Sequence, residues 1–277
     1  MGLIRMQLST RREATALHTY LSERLEEKSA VRVLNETVEV ELFHPLDGDA
    51  QNALTEALTD YILDRYQEKW MNEILTNVFY FTEEADREQI LEIARAIFAG
   101  EKPELPNVNQ LPSRRKLISE AIFDLVCEQA SFSFQSLVTF RLSGYYQCLM
   151  RYLEIAIDEY KLQQEYAAFV DKLRRIVKAY RPLRNVVYAI DCQPMRLYDE
   201  HFKPIENTNA IRSFYPLLKQ WGVDAEPSIL LTLIGLSPLK VFVYTDRQDD
   251  GMMRTLLNVF EERVEFRPLA EAKKIDL

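Results

Sequence analysis

Ile4, Met6 and Leu8 alternate with Arg5 and Gln7, the period of a strand with one buried face. Thr10 and Glu13 follow at capping-box spacing, where each side chain can satisfy a free backbone N–H at a helix start, and Leu17, Leu21 and Leu25 then repeat on one face. The period returns to two around Asn35-Glu36. Val31 to Leu34 and Thr37 to Phe43 predict two strands, with Val38, Val40 and Leu42 facing away from Glu39 and Glu41. The chain therefore opens as a small β-α-β-β module.

Beyond Pro45 and the turn Asp47-Gly48-Asp49, helical spacing takes over. Leu54, Leu58, Tyr61, Ile62, Tyr66 and Trp70 predict one long amphipathic helix extending towards Ile74. Thr82 is placed to cap the next helix, whose first turn carries Glu83, Glu84 and Asp86 at its positive end and whose buried stripe is Ile90, Ile93, Ala94 and Ile97. Gly100 and Pro103 end it, and EKPELPNVNQLP reads as a linker or surface loop. Ser113 starts another helix with Leu117, Ile118, Ala121, Ile122 and Leu125 on its apolar side.

The run from Ser131 to Pro182 reads as one long helical text, with no glycine or proline between Gly144 and Pro182. Tyr145, Leu149, Leu153, Ala156 and Tyr160 form one stripe; Tyr166, Phe169, Leu173, Ile176 and Tyr180 form another. At about 3.6 residues per turn the first stripe arrives roughly a residue out of step with the second. Gln163-Gln164 therefore marks a bend, a break or a change of partner face.

From Asn185 the pattern is that of strands. Val186, Val187 and Ile190, then Met195 to Tyr198, flank an Asp-Cys-Gln-Pro turn. SILLTLIGL predicts a buried helix, KVFVYT a strand, DDGMMRTLLNVFEE a helix and RVEFR a last strand, an order that implies parallel pairing through a right-handed crossover. The expected fold is α+β and predominantly helical: a small N-terminal β-α-β-β module, a central helical bundle and a C-terminal α/β domain with a small mixed sheet. The expected domains are 1–182 and 183–277.

Composition agrees with that picture. Of 277 residues, 47% are apolar and 28% charged, enough to build real cores, and seven glycines with eleven prolines favour helices over sandwiches or barrels. A net charge of −9 argues against a surface wholly devoted to nucleic acid. Cys127, Cys148 and Cys192 are odd in number and lack CxxC spacing, which suits a reducing compartment, so a cytoplasmic location is expected. The start MGLIRMQLSTRREATALH has no apolar signal-peptide core, no window approaches the roughly 20 apolar residues of a membrane span, and no membrane partner is expected.

Chemical signatures are sparse. His18, His44 and His201 lie far apart, with no HxxxH, HExxH or paired CxxC, so no metal is expected. Glu154 and Asp158 share a helix face at i, i+4, but the ExxH offset of a carboxylate-bridged metal site is missing, and a solvated face is the expectation. Neither GxxxxGK[ST] nor GxGxxG occurs, and no cofactor is expected. Cys192 and His201 with Asp191 and Asp199 form the only nearby nucleophile set, and a structural role is expected for it because spacing in one hairpin cannot establish a base within reach of the thiol.

The segment from Asp171 to Arg184 stands out. Lys172, Arg174, Arg175, Lys178, Arg181 and Arg184 oppose one acid, so the segment carries +5 and the rest of the chain −14. Arg174, Lys178 and Arg181 share a face at a helix C-terminus, where the dipole favours cations. One reading is structural: the face solvates the helix and meets acids of the same chain. The other is an anion or partner site formed by Arg174, Arg175, Lys178, Arg181 and Arg184, for phosphate, nucleic acid or an acidic protein, which Arg114-Arg115-Lys116 could extend.

SFSFQSLVTFRLSGY followed by AIDEYKLQQEYAAFV resembles the YtxC-like family, the sporulation proteins of endospore-forming bacteria. YILDRYQEKWMNEILTNVFYFTEEADREQILEIARAI and LLNVFEERVEF are similar to it as well, so the resemblance covers most of the chain. It implies a cytoplasmic bacterial protein linked to sporulation and brings no catalytic or binding residues with it. Together with the missing catalytic constellation it points to a non-catalytic interaction or regulatory protein with a protein partner. A nucleic-acid or phosphate binder using residues 172–184 is one alternative, and an enzyme whose site is assembled from residues remote in sequence is another.

Overall fold

The computed structural model describes residues 2–25, 28–43, 48–192, 194–205 and 228–272. It falls into two compact units, Met1–Lys161 and Leu162–Leu277.

In the first unit, β1 (Gly2–Gln7), α1 (Arg11–Leu25), β2 (Ser29–Leu34) and β3 (Thr37–Leu42) form the expected module. The Glu13 N–H donates to Thr10 Oγ1 at 3.2 Å, so the threonine half of the capping box is made. Asn35 turns the β2–β3 hairpin with φ 55°, a conformation asparagine tolerates better than most residues. Antiparallel register sets Ile4 opposite Val40 and Met6 opposite Val38, and these four side chains are fully buried together with Leu17 and Leu21 of α1.

A fourth strand, β4 (Ser131–Ser133), pairs parallel with β1 and gives the sheet order β2-β3-β1-β4. The start of the SFSF run is thus a strand and not helix: the free edge of β1 captures it, a tertiary effect that overrides the local pattern. Ser133 then caps a single helical turn, α6 (Phe134–Ser136), by accepting the Ser136 N–H at 3.0 Å, and a π-turn over Leu137–Arg141 follows.

The predicted helix over Leu54–Ile74 is divided at Tyr66 into α2 (Gly48–Arg65) and α3 (Gln67–Asn77). Tyr66 moves to φ −117°, and its ring meets Tyr61, Trp70 and Phe134 at centroid distances of 5.9, 5.5 and 4.8 Å. The next helix, α4 (Glu84–Phe98), starts after Glu83 and not after Thr82; Glu83 makes no side-chain cap bond, while Arg87 reaches back to the carbonyls of Phe81 and Thr82. Gly100, at φ 76°, ends it in a Schellman motif, with Glu101 N–H on Ala96 O and Gly100 N–H on Ile97 O, both at 3.0 Å. Ser113 caps α5 (Arg114–Cys127) through the Lys116 N–H at 3.4 Å.

The long helix α7 (Ser143–Ala179) runs unbroken through Gln163-Gln164. Tyr145, Leu149, Leu153, Ala156 and Ile157 enter the core of the first unit, whereas Val170, Leu173, Ile176 and Val177 enter the core of the second. The phase change is therefore a change of partner face. Tyr166 departs from its predicted stripe, being 42% exposed and hydrogen-bonded to Thr255 at 3.1 Å.

The second unit holds β5 (Val186–Ile190), β6 (Arg196–Tyr198), α8 (Ile229–Leu236), β7 (Lys240–Tyr244), α9 (Gly251–Phe260) and β8 (Val264–Arg267), with sheet order β6-β5-β7-β8. β6 is antiparallel to β5, while β5, β7 and β8 run parallel as the strand-helix-strand order requires. Val187, Ala189, Val241 and Val243 meet Leu231, Ile234, Leu256 and Phe260 in its core. The protein is a predominantly helical α+β fold with two small mixed sheets. Among the described residues, no helix is long and apolar enough to cross a membrane.

Candidate functional site

The basic end of α7 meets the end of α9. Arg174 Nε lies 2.8 Å from Glu261 Oε1, and the same guanidinium donates to the Asn258 carbonyl at 2.7 and 3.2 Å. Lys178 Nζ takes the other carboxylate oxygen of Glu261 at 3.1 Å. Both cations thus serve the negative end of α9, whose last carbonyls lack helical partners. The Lys178 hydrogen bond, with the charges of Lys178 and Arg174, holds the Glu261 carboxyl below the usual carboxylate range. Glu261 itself has φ 52° and ψ −125°, a left-handed backbone that a residue with a Cβ adopts at a cost and that lets the chain turn from α9 towards β8.

The other predicted site residues are dispersed. Arg175 pairs with Asp171 one turn away at 2.5 Å, and Arg184 approaches Glu200 at 3.9 Å. Arg181 lies two residues beyond the end of α7, off the helical face expected for it, because the helix stops at Ala179 ahead of Pro182; it is exposed, close in sequence to Leu183. Backbone bonds from Leu183 N–H to Leu236 O (3.0 Å) and from Leu239 N–H to Arg184 O (3.2 Å) bring two leucines to one surface, where they are 60% and 52% exposed.

The hairpin residues each have a structural partner. Thr245 Oγ1 donates to Asp191 at 2.6 Å and Arg247 adds a bond of 2.7 Å, so the hydrogen bonds and charge of Arg247, with Thr245, hold the Asp191 carboxyl low. Asp199 accepts the backbone N–H groups of His201 and Lys203, both at 2.9 Å, which lowers its carboxyl too. The Cys192 thiol lies against the carbonyls of Ile190 and Pro194 at 3.6 and 3.4 Å. Glu154 and Asp158 are both exposed. Among the described residues, no group of three or more His, Cys, Asp or Glu side chains could hold a metal ion; His44 lies outside those residues.

A different cation stands apart in the first unit. Arg114, the first residue of α5, is half-buried and lays its guanidinium over the Phe98 ring with 3.5 Å to the centroid. One N–H of the same group donates to Gln67 Oε1, which also accepts the Tyr145 hydroxyl at 3.0 Å. Among the described residues no carboxylate pairs with Arg114, and burial pulls its pKa below the ordinary arginine value. Burial likewise pushes the Tyr145 hydroxyl and the Cys148 thiol up. Beside the guanidinium opens a cavity of about 200 Å³ whose lining includes Ser113, Arg115, Phe98 and Tyr152. Arg115 is already held by Glu56 and by Asp60 at 2.5 Å. In the sequence this arginine is only one of three consecutive cations; the lack of an acid near it is visible in the fold alone.

The YtxC-like family matches residues 52–265. An uncharacterized protein YtxC of Bacillus subtilis (strain 168) is 31% identical over 219 residues, covering 79% of this chain and 78% of its own length. No solved structure matches. The chain belongs to the YtxC-like family.

Proposed function

We propose that this member of the YtxC-like family is a non-catalytic interaction or regulatory protein of the bacterial cytoplasm, connected with sporulation, and that it engages an acidic protein partner at the end of α7. The observation that carries this reading is the pair of exposed leucines, Leu183 and Leu239, set beside Arg181 and Arg184. Solvent-exposed apolar side chains rimmed by cations suit a partner that offers apolar anchors among acids. Arg174 and Lys178 are bound to Glu261 and contribute less to such a surface.

The test compares wild type with an Arg181→Glu, Leu183→Ser double variant in sporulating cells. Loss of the partners that co-purify with the tagged protein, together with fewer heat-resistant spores, supports the reading. Unchanged partners and a normal spore count overturn it. Lys172 of α7 and Arg181, just beyond its end, stay exposed and favour nucleic acid as the second reading. Recovery of nucleic acid that salt releases and the double variant fails to retain would replace the first reading with the second.

A further inference from the structure

We infer that the cavity beside Arg114, at the start of α5, binds the phosphoryl group of a small anionic ligand. Burying a guanidinium is unfavourable unless an opposite charge or a full set of hydrogen bonds replaces water. Arg114 has one hydrogen bond to a neutral amide and the face of an aromatic ring. Its neighbour Arg115 shows how this chain treats an ordinary cation, with two acids gathered round it. An arginine to which the described residues bring no acid, and which lines an open cavity, is arranged for an anion that comes from outside.

The arrangement also fixes direction. Stacking on Phe98 uses the flat face of the guanidinium, and Gln67, itself held by the Tyr145 hydroxyl, uses one N–H. The remaining N–H groups along the edge are therefore oriented before any ligand arrives, the preorganisation that makes arginine effective on oxyanions. Ser113 lines the same cavity; its oxygen accepts the Lys116 N–H, and its own proton can still be donated. Donors that come from a guanidinium edge and a hydroxyl suit a tetrahedral anion, whereas one planar fork satisfies a carboxylate. At about 200 Å³ the cavity is smaller than the roughly 300–1,000 Å³ of a typical small-molecule site, so it accommodates a phosphoryl head and not a whole large ligand. A bound dianion would restore to Arg114 the stabilisation of its charge that burial removes.

Titration calorimetry with inorganic phosphate, and separately with phosphoserine, tests the proposal against acetate at matched ionic strength. Wild type is expected to bind phosphate saturably, with Arg114→Gln weakening it at least tenfold and Arg114→Lys recovering part of the loss. Tenfold tighter phosphoserine binding would assign the site to a phosphomonoester; tighter inorganic phosphate would assign it to the free ion. Because Arg114→Gln could disturb folding, the wild-type protein is also treated with phenylglyoxal. Phosphate is expected to protect Arg114 from modification while leaving Arg175 reactive. Equal responses to acetate and phosphate, undiminished binding by a folded Arg114→Gln, or no protection of Arg114 would each overturn the assignment.

Discussion

The two units differ in what burial does to their titratable groups. In the first unit, Tyr61, Tyr66, Tyr145 and Tyr152 have hydroxyl pKa values raised chiefly by burial, and Arg114 is lowered by the same cause. In the second, Asp191, Glu261 and Glu265 are lowered chiefly by bonds from Arg247, Lys178 and Lys240. Both regions pair cations and acids near the surface, as Arg95 with Glu68 and Glu88 shows in the first, but the first also takes polar groups out of water and settles them on aromatic rings and amides. A cation of the second region is therefore largely answered within its own fold, while Arg114 is not. The conspicuous basic run in the sequence and the arginine with unmet electrostatic demand are different residues.

Charge reversal should separate the two regions most strongly. Arg114→Glu places a carboxylate between Phe98 and Gln67, beside an Arg115 already held by Glu56 and Asp60, and a stability loss of about 3 kcal/mol is expected, in the range for a poorly compensated buried charge. Arg174→Glu faces Glu261 near solvent and should cost about 1 kcal/mol. Urea denaturation of both variants checks the ranking, and equal losses would break the contrast.

The pH dependence should divide along the same line. A carboxyl with a lowered folded pKa stabilises the protein above its unfolded value, about 3.9 for aspartate, and loses that contribution as pH falls through the folded value. Asp191→Asn should therefore flatten the acid limb of stability below about pH 4 and cost about 1–2 kcal/mol at neutral pH, since the Asp191 side chain is only 6% exposed but Arg247 is well solvated. A tyrosine with a raised folded pKa acts at the other end. Its contribution is complete below the unfolded value of about 10 and is lost as pH rises towards the folded value. Tyr145→Phe should flatten the alkaline limb and cost about 1 kcal/mol at neutral pH for the lost bond to Gln67. Amide exchange resolved by segment should place the acid effect in β5 and β7 and the alkaline effect in α3 and α7.

Local chemistry made much of this fold legible. The alternation over Ile4–Leu8, the Thr10 and Ser113 caps, Gly100 as a helix end and the phase change at Gln163-Gln164 each follow from a few neighbouring residues, and each corresponds to a feature of the structure. Features that depend on distant neighbours were not legible. β4 exists because β1 offers it an edge, and the division between α2 and α3 falls at Tyr66, where the rings of Tyr61, Trp70 and Phe134 converge. The candidate sites obey the same distinction. A helical face can be counted from spacing, so Arg174 and Lys178 were visible together, but the helix stops at Ala179 before Arg181, and Glu261 reaches the first two only after α9 has folded. Arg114 is set apart because no acid among the described residues pairs with it, a property with no local sequence signal.

The smallest expected effect lies at Arg175. Its partner Asp171 is on the same helix, and both side chains are well exposed, so Arg175→Ala should change stability by less than about 0.5 kcal/mol. Arg181→Ala, at an exposed position just beyond the end of α7, should behave alike. This near-neutrality makes the two positions useful reporters, because a loss of partner capture in either folded variant would come from the surface and not from damage to the core beneath it. Thermal melts superimposable on wild type, combined with weakened partner capture, would show that the second region keeps a binding role beyond its internal pairing. Unchanged capture would leave its cations to structure, and the first region, with Arg114, as the only one of the two built around an outside charge.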